Sequence, residues 1–148
     1  MSDVIEKIIP VNPFIRIPID DLQAARDLIS DKVANDSITI DTSESPVFID
    51  CGGNLESISC PKCGAPISFE VWGELMDKAY ELSFSDLDVV LPCCNSKESL
   101  NDLNYNYECG FSCCVISVLN PQITIDEDLR ESIESLLHTK IKIVHAHI

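Results

Sequence analysis

The chain has 148 residues, the length of one ordinary domain, and 25 acids against 10 bases give it a formal net charge of −15. That balance argues against a nucleic-acid or anionic-membrane partner, each of which calls for Lys and Arg, and a 45% hydrophobic content excludes a disordered scaffold. Eight cysteines are the compositional feature that needs a chemical reason.

Glu6 and Lys7 interrupt the apolar residues of Met1–Ile9, so no secretory h-region is expected, and no apolar run reaches the ~20 residues of a spanning helix. The expected compartment is the cytoplasm, with no membrane partner. There, clustered cysteines are metal ligands or catalytic thiols before they are disulfides. Residues Pro13 to Ile19 alternate, with Phe14 and Arg16 opposite Ile15, Ile17 and Ile19, and read as a strand. Asp20 and Gln23 form a capping-box pattern at the start of a helix that carries Leu22, Ala25, Leu28, Ile29 and Val33 on one face. Ser37 to Asp50 suggests one or two strands around a Ser-Glu-Ser-Pro break, ending at Gly52-Gly53.

At the far end, Phe111 to Leu119 is a strand-length apolar run. Thr124 and Glu127 then supply a capping box for a helix with Ile125, Leu129, Ile133, Leu136 and Leu137 as its stripe, and Ile141 to Ile148 reads as a last strand. The order βαβ, a long interruption, then βαβ predicts an α+β fold, a ferredoxin-like sandwich with an inserted zinc-ribbon-like subdomain. The halves are residues 1–52 and 111–148, the insert 53–110. Another α+β order of the same elements stays open. The insert holds six of the nine aromatics and five of the eight cysteines, around a helix expected from Ser68 to Leu82 with Trp72, Leu75, Met76, Ala79 and Tyr80 on one side.

Cys60-Pro61-Lys62-Cys63-Gly64 is a knuckle whose two thiolates can reach one Zn²⁺, with Gly64 giving the turn its permissive backbone. Leu91-Pro92-Cys93-Cys94 supplies a second pair. Cys60, Cys63, Cys93 and Cys94 would close a tetrahedral site without water. Adjacent strand residues point to opposite faces, so a turn has to begin at Cys93 for both sulfurs to face one metal. A set with Cys109 in place of Cys93 or Cys94 is the alternative.

Rival readings of the same cysteines are a redox protein or metalloenzyme and a nucleic-acid-binding zinc ribbon. A low-pKa dithiol needs its first thiolate at a helix N-terminus, and Pro66 and Ser68 place the helix start beyond Cys63. His138, His145 and His147 all follow the cysteines, so the zinc-deaminase order is missing, and no phosphate-binding or hydrolase signature occurs. Residues 53–110 hold ten acids against three lysines, which opposes a nucleic-acid role. Cys51, Cys113 and Cys114 read as small core residues. His145 and His147 share a strand face and could grip a metal, but read first as ordinary strand residues. The expected function is a zinc-binding, non-catalytic protein-interaction module whose protein partner is basic, with Tyr105 and Tyr107 as candidate contact residues or as packing.

Cys60–Gly64, the Trp72 helix, Leu91–Cys94, Ser99–Leu103 and the closing Ala146-His147-Ile148 together resemble a group of uncharacterised bacterial proteins. The resemblance implies that Cys60, Cys63, Cys93 and Cys94 bind zinc; it implies no activity, and residues 1–45 add nothing to it.

Overall fold

A computed structural model describes residues 3–148; Met1 and Ser2, which open the first half and the N-terminal segment, lie outside the described residues. The first strand is β1 (Val4–Pro10), followed by α1 (Ile19–Lys32) and β2 (Ser37–Ile49). The insert contributes β3 (Ile58–Ser59), β4 (Pro66–Ile67), α2 (Phe69–Glu81), β5 (Asp88–Val90), β6 (Lys97–Ser99), a 3₁₀ turn over Leu100–Asp102 and β7 (Asn104–Tyr105). β8 (Gly110–Leu119), α3 (Glu127–Leu137) and β9 (Ile141–His147) complete the chain. The fold is α+β.

Four strands form the main sheet in the order β2-β8-β1-β9, antiparallel at every junction. Helices α1 and α3 cover one face, burying Leu22, Ala25, Ile29, Ile133 and Leu137 against Ile8, Ile116 and Val118. The opposite face carries Ile9, Val115 and Val144 with Cys51 and Cys109, and Leu55 and Tyr105 of the insert pack against it. The insert's own core is built around Phe111 of β8, which is fully buried, and reaches Phe48 of β2. Ring centroids of Phe48 and Phe111 lie 5.2 Å apart, and those of Phe48 and Trp72 5.5 Å. The insert therefore shares apolar contacts with the sheet instead of standing off it.

Two polar side chains stitch this junction. Buried Asn101 accepts from the Phe111 backbone N–H at 2.9 Å and donates to the Val11 carbonyl at 3.4 Å. Lys142 Nζ donates to the Cys109 carbonyl at 3.3 Å. At the other end of the insert the chain turns through Gly52 at φ +61° and meets β9: Gly53 N–H donates to His147 O at 2.8 Å, and Asn54 Nδ2 to His145 O at 2.9 Å. A Cβ at residue 52 would sit 2.5 Å from that His147 oxygen, so both the conformation and the space require glycine.

Several expectations need correction. Pro13–Ile19 is not a strand; residues 11–18 are turn and irregular chain, and the strand lies earlier, at Val4–Pro10. Prolines at 13 and 18 deny that stretch N–H groups a ladder uses, and its side-chain alternation has no partner strand. The two residues that masked β1 meet groups far along the chain: Glu6 faces His145 across the ladder with Oε2 2.5 Å from Nδ1, and Lys7 donates to the Asp50 carbonyl at 2.9 Å. Helix α1 begins at Ile19 after Pro18 with no side-chain cap, so the Asp20–Gln23 capping box does not form; Asp20 and Asp21 lie in its first turn, where negative charge suits the helix dipole. The cap of α3 is Asp126, accepting from Leu129 N–H at 2.8 Å, in place of Thr124. The Ser-Glu-Ser-Pro break leaves β2 one strand, with a register shift between Thr42 and Val47.

Candidate metal centre

Two short hairpins build the site, and they are copies of one another. β3 and β4 pair Ile58 with Ile67 and Ser59 with Pro66; β5 and β6 pair Val89 with Glu98 and Val90 with Lys97. Between the strands, Cys60 N–H donates to Ala65 O at 2.9 Å and Gly64 N–H to Cys60 O at 3.0 Å. The second turn repeats both bonds, Leu91 N–H to Ser96 O at 3.0 Å and Asn95 N–H to Leu91 O at 2.8 Å. Proline follows the first residue in each, and the left-handed position is Gly64 at φ +75° in one and Asn95 at φ +57° in the other. A constant offset of 31 positions relates the turns (Cys60 to Leu91, Cys63 to Cys94, Gly64 to Asn95).

The equivalence explains the adjacent cysteines. A regular knuckle places ligands at its first and fourth positions, as Cys60 and Cys63 do. In the second turn Leu91 holds the first position, fully buried, and the sulfur comes instead from Cys93 at the third. Pro92, Cys93 and Cys94 form the turn that brings both thiols to one side, which a strand could not do.

The four sulfurs of Cys60, Cys63, Cys93 and Cys94 all lie within 4.8 Å of one another, and they are the group suited to a metal ion among the described residues. Cys60 and Cys94 are 3.8 Å apart, Cys63 and Cys93 3.5 Å, and Cys93 and Cys94 3.9 Å. With a Zn–S bond of about 2.3 Å, the edge of a ZnS₄ tetrahedron is about 3.8 Å. Donor chemistry and spacing thus fit a four-thiolate ion.

Hydrogen bonding differs around the centre. Cys60 Sγ accepts from the backbone N–H groups of Lys62 at 3.3 Å and Cys63 at 3.4 Å, and this pair of donors draws its thiol down to about 6, the Cys63 N–H contributing most. Ser96 Oγ lies 3.1 Å from Cys94 Sγ. Desolvation, and after it the hydrogen bond with Cys63, pushes the Cys93 thiol up to about 12.

The remaining cysteines lie elsewhere. Cys109 meets Cys51, its thiol donating at 3.3 Å, so it does not join the four; burial pushes it up to about 12. Cys113 and Cys114 are buried in β8, with thiols raised by desolvation. His145 is occupied with Glu6, and the backbone of His147 with residues 51–53; neither imidazole belongs to the cluster. Helix α2 begins at Phe69, capped by Ser68 Oγ accepting from Val71 N–H, so its positive end lies past Cys63. Tyr105 is turned inward, donating to Leu100 O at 2.6 Å and accepting from Trp72 Nε1 at 3.3 Å, and burial raises its phenol. Tyr105 thus packs within the insert, while Tyr107 is exposed.

Sequence reasoning missed the correspondence of Leu91 with Cys60 and the part of Ser96. The signal was legible in the shared proline after the first position and in Gly64 and Asn95, two residue types that tolerate positive φ. Comparison with known proteins finds no matching family model, no matching curated protein and no matching solved structure. No helix among the described residues is long and apolar enough to cross a membrane.

Proposed function

We propose that Cys60, Cys63, Cys93 and Cys94 hold one structural Zn²⁺ and that the chain is a non-catalytic, protein-binding module of the cytoplasm. The observation that carries this reading is the tetrahedral spacing of the four sulfurs, a set that leaves no ligand position for substrate. A structural role follows from the lengths of the elements. Strands of two and three residues are far below what an isolated hairpin needs, whereas a structural zinc site contributes ~10–16 kcal/mol in small fingers. The ion would join the hairpins at their turns and organise residues 53–110 as a zinc-ribbon-like insert.

The strand order β2-β8-β1-β9, with both crossover helices on one face, supports a ferredoxin-like frame for that insert. Ten acids against three lysines in residues 53–110 favour a basic protein partner, whose encounter would be fastest at low salt.

Elemental analysis of purified protein tests the metal reading, with one zinc per chain expected. Cobalt substitution should give the thiolate charge-transfer bands and intense visible absorption of a tetrahedral sulfur site. Metal well below one per chain, or iron in place of zinc, overturns it.

A further inference from the structure

The four sulfurs of the centre are not chemically equal. Cys60 is fully buried and accepts two backbone N–H groups; Cys94 is exposed, and its thiol donates to Ser96 Oγ at 3.1 Å, a contact in which the hydroxyl becomes the donor once the sulfur is a zinc-bound thiolate. Cys63 and Cys93 are both exposed, 3.5 Å apart, and among the described residues neither sulfur accepts a hydrogen bond from a backbone N–H or a hydroxyl. For Cys93 the cause is the displaced ligand position. The first position of a knuckle lies where the N–H groups of the third and fourth residues reach its sulfur, as at Cys60; Leu91 occupies that place in the second turn, and the sulfur at the third position lies outside it.

A thiolate bound to zinc in a four-sulfur set keeps much of its negative charge, and donors aimed at sulfur lower its tendency to attack carbon, since a bond to a charged acceptor stabilises the ground state. We propose that Cys63 and Cys93 form a reactive edge of the centre, a modification site at which a soft carbon electrophile bonds to sulfur while Cys60 and Cys94 are protected. The inference rests on the zinc reading above.

With an activated alkene the step is an addition. The sulfur supplies the electron pair of the new S–C bond, the C=C π pair moves to the neighbouring carbon, that carbon takes a proton from water, and nothing leaves. The product is a neutral thioether, a poor ligand. Cys63 belongs to the first turn and Cys93 to the second, so an adduct on either removes one of the links between the hairpins. The centre would thereby convert exposure to electrophiles into loosening of the insert.

The test uses the intact zinc-loaded chain and substoichiometric N-ethylmaleimide, with adducts mapped by peptide mass spectrometry over time and released zinc followed by a colorimetric chelator. Zinc is quantified first; less than one per chain defeats the metal reading, and the inference falls with it. In loaded protein the first adduct is expected on Cys63 or Cys93, on the order of tenfold faster than on Cys60 or Cys94, with one zinc released per adduct. Cys94 is the internal control, because it is exposed yet hydrogen-bonded. Ser96→Ala should bring its rate up to that of Cys63. First labelling at Cys60 or Cys94, equal rates at the four, adducts without zinc release, or no change in Cys94 labelling in the Ser96→Ala chain would each overturn the proposal.

Discussion

If Leu91 stands in a vacated ligand position, the site can be rebuilt in its regular form. Cys93→Ala removes one of four thiolates. Sharing a zinc contribution of ~10–16 kcal/mol among four ligands gives ~2.5–4 kcal/mol for the loss, a weakening of Zn²⁺ affinity on the order of a hundredfold to a thousandfold. Adding Leu91→Cys places a sulfur at the counterpart of Cys60, where the N–H groups of residues 93 and 94 would meet it as those of Lys62 and Cys63 meet Cys60. Shrinking the fully buried Leu91 costs ~1–2 kcal/mol of packing, less than the ligand restores. The double variant should therefore recover affinity to within about tenfold of the native chain, measured by chelator competition with the cobalt spectrum as a geometric check. Unchanged affinity in Cys93→Ala would show that Cys93 is no ligand. A double variant that binds no better than the single one would refute the equivalence of the two turns.

Asn101→Ala should cost ~1–3 kcal/mol, because it leaves the buried Phe111 N–H without its acceptor; urea unfolding of the two chains measures the difference. Gly52→Ala should destabilise by ~1–3 kcal/mol or more, from the positive φ and the approach to His147 O, and amide exchange should rise first at residues 52–54 and 145–147, where the contact lies. Cys113→Ala and Cys114→Ala should each cost ~1–2 kcal/mol by thermal unfolding and leave zinc content unchanged, since both are buried in β8 away from the four sulfurs.

The second half of the main sheet was legible because its signals are local. A run from Phe111 to Leu119 broken only by Ser112 and Ser117, with no charge, reads as buried on both faces, and it is covered by helices above and by the insert below. β1 was not legible, because Glu6 and Lys7 break its apolar pattern and meet His145 and Asp50, residues far along the chain that no local window contains. Pro13–Ile19 misled for the opposite reason: its alternation is local, but a strand is made by a partner, and none is there. At the candidate metal centre the two cysteine pairs that cluster could be read from spacing. The ranking of the four sulfurs could not, since it depends on which N–H groups the folded turns aim at them. Tyr105 reads as interface or core equally well until Leu100 O and Trp72 Nε1 are seen to bind its hydroxyl.

The sheet order also sets a timetable for assembly. β1 lies between β8 and β9, so its earliest ladder partners are Ile116–Leu119, more than a hundred positions downstream, and its second partner is the strand at Ile141–His147. During synthesis β1 must wait as an unpaired segment while the whole insert emerges, and non-local pairing of this kind is slow. The four clustered cysteines, by contrast, lie between residues 60 and 94, and each hairpin turn closes within a few residues. Metal capture can precede sheet closure. Zinc supply during translation would then govern the yield of correctly folded chains more strongly than zinc removal governs the survival of finished ones, whose insert is also held by Phe48, Phe111 and Asn101.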